Sequence, residues 1–203
     1  LGVKATYIFG RVSSNISSTI SNEPQFFSNY FEESSYNDYS FTTGLFYRKE
    51  INEDKFLKIG FVYDLKTSLK SSTFSQLERK IPNSLNVLVI DTILNDVIRD
   101  YIIPKNYGFG VSYEILDKLS FGIDFRFQPW KKNSGFENQQ NNYKNYFQVS
   151  TGIEIIPDAE DVNTYFNRVT YRGGLLFKRY PYLINSEETN NIAATFGLSL
   201  PIG

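Results

Sequence analysis

The 203-residue sequence predicts an all-β fold, about eight strands of a larger antiparallel up-and-down transmembrane β-barrel. Three observations predict it. Apolar and polar residues alternate with period 2 through eight separate stretches, while a helical period is nearly absent. The polar connections between those stretches alternate between short and long. Aromatic residues make up 17% of the chain and gather near the ends of the stretches.

Each strand is justified by its own two faces. The first sets Val3, Ala5, Tyr7 and Phe9 against Lys4, Thr6 and Gly10. The second sets Tyr39, Phe41, Leu45 and Tyr47 against Ser40, Thr42, Gly44 and Arg48. The third sets Leu57, Ile59, Phe61, Tyr63 and Leu65 against Lys58, Gly60, Asp64 and Lys66. The fourth sets Tyr107, Phe109, Val111, Tyr113 and Ile115 against Asn106, Gly108, Gly110, Ser112 and Glu114. The fifth is the cleanest: Leu119, Phe121, Ile123, Phe125 and Phe127 oppose Ser120, Gly122, Asp124, Arg126 and Gln128. The sixth carries Phe147, Val149, Ile153 and Ile155 opposite Gln148, Ser150, Gly152 and Glu154. The seventh carries Val169, Tyr171, Leu175 and Phe177 opposite Arg168, Thr170, Arg172 and Lys178. The eighth carries Ile192, Ala194, Phe196, Leu198 and Leu200 opposite Asn191, Thr195, Gly197 and Ser199.

Short connections are expected at 49–54, 116–118 and 157–164, and long polar loops at 13–37, 131–142 and 180–190. The stretch 68–101 breaks the rhythm. Keeping all short turns on one side requires an even number of strands here, and zero is the simplest choice. The stretch therefore reads as a long external hairpin over about 66–100, with its tip near Asn83 or Asn86 and Val87-Leu88-Val89-Ile90 opening the return arm. A short helix over 92–97 is the competing reading.

Composition excludes several functions. The chain has no His, Cys or Met, so it lacks the usual zinc ligands, a thiol nucleophile and an imidazole base. Lys and Arg number 21 against 22 Asp and Glu, which gives no basic excess for a nucleic-acid partner. No enzymatic activity and no cofactor or metal are expected. No stretch approaches the apolar length of a membrane helix, which says nothing against a barrel. Leu1-Gly2-Val3-Lys4 carries no secretion signal, and both ends read as cuts through a larger domain, so 1–203 is expected to be part of a single barrel domain.

Alternation does not say which face is wet, since a soluble sandwich or lipocalin-like barrel has the same period. Three features favour lipid on the apolar side: uniform apolar sets of spanning length, a Gly/Ser/Thr-rich opposite face with charges of both signs, and aromatics at two heights. The latter include Tyr101, Tyr107, Tyr113, Trp130, Tyr143, Tyr165, Tyr180 and Tyr182. Asp64, Asp124, Arg126, Glu154, Arg168, Arg172 and Lys178 then face the lumen. They would line a path, or merely tie adjacent strands in a wet interior. Gly173-Gly174 and the pair Gly108 and Gly110 would kink the wall or only leave room. Phe26, Phe27, Tyr180 and Tyr182, with Tyr30 and Phe31, are candidates for an apolar ligand groove; loop packing explains them equally well. Trp130 reads as an interfacial anchor. Asp158, Glu160 and Asp161 would bind Ca²⁺ or form a solvated turn.

Two blocks carry a family resemblance. Ile103-Pro104-Lys105-Asn106-Tyr107-Gly108-Phe109-Gly110-Val111-Ser112-Tyr113 runs through a short turn into Leu119-Ser120-Phe121-Gly122-Ile123-Asp124-Phe125-Arg126-Phe127-Gln128-Pro129-Trp130. Val149-Ser150-Thr151-Gly152-Ile153-Glu154-Ile155-Ile156-Pro157 is followed by Tyr171-Arg172-Gly173-Gly174-Leu175. Together they resemble hairpins of the FadL/OMPP1/TodX family, over roughly 57–203. The resemblance implies a fourteen-stranded barrel in the outer membrane of a Gram-negative (diderm) bacterium, with this chain supplying about eight strands. It implies transport of hydrophobic small molecules such as long-chain fatty acids through a kinked strand and a lateral opening, with membrane lipid and a fatty-acid-like molecule as partners. Relatives of this type also include a FadL-like shuttle of type IX secretion, which carries secreted protein partners; that is the alternative. The sequence departs from the family in lacking a hatch segment and the terminal aromatic strand. A complete eight-stranded barrel acting as an adhesion or stability element is a third reading.

Overall fold

The alternating stretches form strands, and the strand pairings among the described residues are all antiparallel. The computed structural model describes residues 1–19, 27–80, 87–131, 135–136 and 143–201. The strands are β1 (Gly2–Thr19), β2 (Phe27–Asn52), β3 (Lys55–Asp64), β4 (Thr67–Lys80), β5 (Val87–Ile103), β6 (Asn106–Ile115), β7 (Leu119–Gln128), β8 (Gly135–Phe136), β9 (Tyr146–Ile155), β10 (Thr170–Ile184) and β11 (Glu187–Ser199). All lie in one sheet, ordered β11-β10-β9-β7-β6-β3-β2-β4-β5-β8, with β1 on β2.

The branching at β2 is only apparent. One edge of β2 takes β3 along its C-terminal half and β4 along its N-terminal half. β3 and β4 are thus one long run interrupted at Leu65-Lys66, and β5 and β6 are another, interrupted at Pro104-Lys105. Pro104 has no N–H to give to a ladder. Across the sheet, Leu65 N–H still donates to Phe41 O at 2.9 Å, so the interruption stays tied down. The topology is therefore a plain meander of eight runs.

The register joins the faces of all these runs. Leu45, Phe61, Phe109, Phe125, Val149, Phe177 and Ile192 lie opposite one another in succession, forming one apolar row across seven strands. One residue along, on the other face, runs Phe46, Gly60, Gly110, Asp124, Ser150, Leu176 and Ala193. The sheet is strongly curled into a half-barrel. Its polar side encloses a hollow of about 510 Å³ lined by Lys4, Lys58, Asp64, Asp124 and Arg126 among others. The apolar side faces away from it.

No apolar centre forms between the layers of a sandwich. Among the described residues, the buried apolar side chains are Phe56, Leu69 and Val169. Phe121, Phe125 and Leu175 are 45%, 39% and 61% exposed, so the apolar face has no partner among the described residues. Among the described residues no helix is long and apolar enough to cross a membrane, and the helical element there is a 3-10 turn, Tyr165–Arg168.

Several sequence expectations need correction. Within 13–37 and 180–190 the described residues are mostly strand rather than loop: β1 runs to Thr19, β2 starts at Phe27, and β10 and β11 extend to a turn at Asn185-Ser186. Both turn residues have positive φ, 51° and 67°, as a two-residue type I′ hairpin requires. These extensions escaped notice because both of their faces are rich in Ser, Asn, Thr and Glu, so no alternation marks them. The helix over 92–97 does not form; β5 passes through that stretch with shifted register against β4 and Asp96 at φ 50°. Of the hairpin over about 66–100, β4 and β5 pair antiparallel, while Asn83 and Asn86 lie outside the described residues. Most of 131–142 does too, apart from Lys131 and Gly135–Phe136. Among the described residues β1 and β11 do not touch, and the strands form an open half-barrel, as part of a larger wall would.

Candidate functional site

The inner wall is built from the even-numbered side of β1, β2, β3, β6, β7, β9 and β10. Its charges are mostly committed to neighbouring strands. Asp64 accepts from Thr42 Oγ1 at 2.6 Å and from Asn106 Nδ2 at 2.7 Å, one strand to each side. Lys58 pairs with Glu114 across β3 and β6. Arg172 donates to Glu154 on β9 and to Ser199 on β11. Asp124 and Arg126 stand exposed at the edge of the hollow. Lys178 places its ammonium 5.0 Å from the centre of the Tyr180 ring.

Sequence reasoning placed six of its seven lumen charges on this wall. Arg168 is the exception: it belongs to the 3-10 turn at the short-turn end, with its guanidinium 5.6 Å from the Tyr165 ring centre. The turn extends farther than alternation suggested, and β10 starts only at Thr170. Reasoning missed Thr42, Lys58, Asn106 and Glu114 as partners. All four sit on the polar face by parity, but choosing partners requires the register.

The small residues of the wall form no kink. The ladders on both sides of Gly173-Gly174 run unbroken, and the register shift in β10 lies between Arg179 and Leu183. Gly108 and Gly110 also lie in continuous ladders. Their effect is room. A Cβ at Gly60 would meet nothing within 4 Å. A row of Ser112, Gly122, Gly152, Gly174 and Thr195 crosses the inner surface with almost no side-chain height.

The proposed ligand groove does not assemble among the described residues. Tyr180 and Tyr182 stack on each other at 5.2 Å, on strand β10 rather than in a loop. Phe26 lies outside the described residues, as does the side chain of Phe27. Trp130 is not an outward anchor either. Its indole N–H donates to Gln128 Oε1 at 2.9 Å, on the inner side, and its ring meets Tyr143 edge-on at 5.5 Å. Nearby, burial and the adjacent Tyr143 phenol push the Tyr101 hydroxyl up to about 12. At the opposite end, Asp161 accepts from Asn167 Nδ2 at 2.6 Å and from the N–H groups of Asn163 and Thr164. Those bonds, Asn167 first, hold its carboxyl below the usual carboxylate value. Asp158 accepts from Glu160 N–H. The acidic turn is an Asx-type turn rather than a Ca²⁺ loop, and no cluster of three or more metal-ligating side chains occurs among the described residues.

The outer face is the second half of the site. Aromatic pairs mark one level of it: Tyr7 with Tyr39 at 5.0 Å and Tyr63 with Tyr107 at 5.2 Å. Phe147 bridges Phe125 and Phe177 at 5.6 Å each. From Tyr63 to Lys55 the band is eight residues deep, about 26 Å along a strand. Beyond Phe9 and Asn37 the same face turns polar, with Arg11 paired to Glu33 at 3.3 Å and Ser17 bonded to Asn29 at 3.0 Å. The upper parts of β1, β2, β4 and β5 therefore extend past the apolar band as a ribbon, largely polar on β1, β2 and β4 and carrying exposed Ile90, Ile93 and Ile98 on β5.

This arrangement can hold an apolar surface against a nonpolar medium and a wet surface against water. Comparison with known proteins corrects the identity read from sequence. A family model described as BamG matches residues 1–203, while no curated protein and no solved structure matches. That family points to the machinery that assembles outer-membrane proteins, associated with the Gram-negative outer membrane. The FadL/OMPP1/TodX resemblance is therefore wrong, and with it fatty-acid transport, the type IX shuttle and their small-molecule and secreted partners. The quoted blocks misled for a physical reason. Gly on the inner face, Tyr near strand ends and a tight turn between are what any hairpin of a barrel wall needs. Matched by its family model over its whole length, the chain belongs to the BamG family.

Proposed function

We propose that this chain is a non-catalytic structural component of the outer-membrane protein assembly machinery, seated in the bilayer as part of a barrel wall. Family membership supports the assembly role. The observation that carries the membrane seat is the unbroken apolar row from Leu45 to Ile192, exposed on the convex side of a sheet whose other face is hydrated. Residues such as Phe109, 50% exposed, and Phe61, 39% exposed, would leave a large apolar patch in water. Facing acyl chains, the same surface loses that cost, and at the roughly 35–45° tilt of barrel strands about 26 Å of strand crosses roughly 20 Å, most of the roughly 25 Å apolar band of an outer-membrane barrel. The ribbon of β1, β2, β4 and β5 then projects beyond the bilayer surface, available to other components.

The test uses the epitope-tagged full-length protein in its own outer membrane. It should resist extraction by carbonate and urea, require detergent, and co-purify with the assembly machinery. Its depletion should lower the amounts of several unrelated outer-membrane barrels. Release by urea without detergent would overturn the membrane seat. Unchanged barrel levels together with no co-purifying assembly component would overturn the role.

A further inference from the structure

The ribbon formed by the upper parts of β1, β2, β4 and β5 carries a second cavity on its concave side. It measures about 160 Å³ and takes its walls from all four strands, so the ribbon is itself curled into a trough. It is separate from the hollow in the wall below, with which it shares no described lining residue. A space of this size holds one six-membered ring, as a cavity of ~150 Å³ takes up benzene.

The floor of the trough is paved with hydroxyls. Alternation brings Ser34 of β2 and Ser71, Thr73 and Ser75 of β4 to the concave face, and all four are buried. Ser34 and Thr73 line the cavity and bond to each other at 3.0 Å, with either as donor. Two hydroxyls carry two hydrogens, and one bond uses only one of them. The other finds no acceptor among the described residues and is left for a group in the cavity. Ser71, beside them, also has an unpartnered Oγ. Buried hydroxyls in this state destabilise a chain unless something else satisfies them. The walls add charges of both signs. Glu32 of β2 accepts from Tyr30 O–H on Oε2 at 2.6 Å, which leaves Oε1 as an acceptor. Arg99 of β5 is exposed and makes no ion pair or hydrogen bond among the described residues. β4 lies between the strands of Glu32 and Arg99. Tyr36, Val12 and Leu94 supply an apolar flank.

Donors and acceptors set around a ring-sized space, with an apolar flank, suit a molecule that is polar at its rim and carries C–H groups on its faces. A sugar ring has that form. The two charges are opposite, so a neutral sugar fits both walls, whereas a charged one meets its like on one of them. An extended polypeptide fits less well. β2 is paired on both edges, to β1 and β4, and β4 to β2 and β5, so this face offers a peptide main chain no free strand to join. Rings continue beyond the cavity: Tyr36 meets Tyr101 edge-on at 6.2 Å, and Trp130 meets Tyr143 at 5.5 Å at the rim of the wall. Their faces suit the C–H sides of further units. We infer that the trough binds a neutral sugar unit of a glycan, with Arg99 and the Ser34–Thr73 pair donating to its oxygens and Glu32 accepting from a hydroxyl. This goes beyond the assembly role and does not depend on the bilayer seat.

The test uses full-length protein in a detergent without a sugar headgroup. It is titrated against arrayed neutral oligosaccharides of hexose, pentose and N-acetylhexosamine units, with sulfated oligosaccharides, uronic acid oligomers and unstructured peptides as the contrasting probes. Saturable binding of at least one neutral oligosaccharide is expected. Arg99→Met removes charge-assisted hydrogen bonds and should weaken that binding by about tenfold or more. Thr73→Val keeps the shape of the floor, removes the spare hydrogen and should weaken it as well. Arg11→Met, on the convex side of the same ribbon, should leave it unchanged. Arg99 and Arg11 are both exposed, so neither change removes a buried contact from the fold. Three results overturn the proposal: no neutral oligosaccharide binds, binding is confined to the acidic glycans or the peptides, or the Arg99→Met variant binds as tightly as the unaltered protein.

Discussion

Gly174 and Gly60 are both inward-facing strand glycines, yet they answer to different constraints. A Cβ at Gly174 would lie 2.8 Å from Thr195 Oγ1 and 3.3 Å from the Thr151 carbonyl oxygen. The hydroxyl can rotate away, but the carbonyl belongs to the ladder and cannot. Gly174→Val should therefore lower unfolding stability by about 1–3 kcal/mol, read from the urea midpoint of detergent-solubilised protein. Gly60 has open space above it, so Gly60→Ala should be neutral or raise stability by up to about 1 kcal/mol. Equal losses at both positions would show that proximity to the ladder is not what matters. Asp161 gives a pH signature. Its folded-state carboxyl titrates below the ordinary value of 3.8 because Asn167, Asn163 and Thr164 donate to the ionised form. Its stabilisation is complete above 3.8 and is lost as pH falls through the lower folded value. Asp161→Asn should flatten that acid limb of the stability curve by lowering stability at neutral pH towards the value the protein has once Asp161 is protonated. An unchanged acid limb would show that the carboxylate does not hold the turn. Such local devices were partly legible in sequence: the acidic turn stood out, but whether its carboxylates turned to metal or to backbone depended on where Asn167 came to rest.

The strands differ in how they declare themselves. Where one face is apolar and the other polar, alternation is strong, and 119–128 could be drawn residue by residue from the sequence as β7. Where both faces carry polar residues, alternation fades, and β1 beyond Phe9, the first part of β2 and the tip of the β10–β11 hairpin read as loops. The hairpin at Asn185-Ser186 tests this understanding. Ser186 holds φ 67°, a conformation that disfavours a residue with a Cβ, and Asn-Gly is the preferred type I′ pair. Ser186→Gly should stabilise the protein by about 0.4–1 kcal/mol. A loss of stability there would mean that the turn is not type I′ in solution. Of the seven lumen charges, parity placed six, but their partners were invisible. Asp64 could be assigned to a face, whereas its bonds to Thr42 and Asn106 depend on two independent registers.

For the molecule as a whole, the decisive asymmetry is between the two sides of the curled sheet. If the convex side meets lipid, Phe125→Arg, in the middle of the band, should cost about 2–4 kcal/mol in folding into vesicles of dilauroyl lipid. Ser150→Arg, beside it on the concave side, should cost far less, since the hollow is hydrated. Urea titration of vesicle-inserted protein measures both. Equal costs would reverse or abolish the assignment of faces. By itself the sequence determined that the chain is antiparallel sheet with one apolar and one polar face, because side-chain direction alternates with every residue of a strand whatever surrounds it. It also excluded His- and Cys-based chemistry, since those residues are not there. Only the tertiary structure decided which face is concave, which charges pair, that polar stretches continue as strands, and that the described strands curl into an open half-barrel. Curvature, register and closure arise from how strands sit against one another, and the pattern along any one strand is the same for every such arrangement.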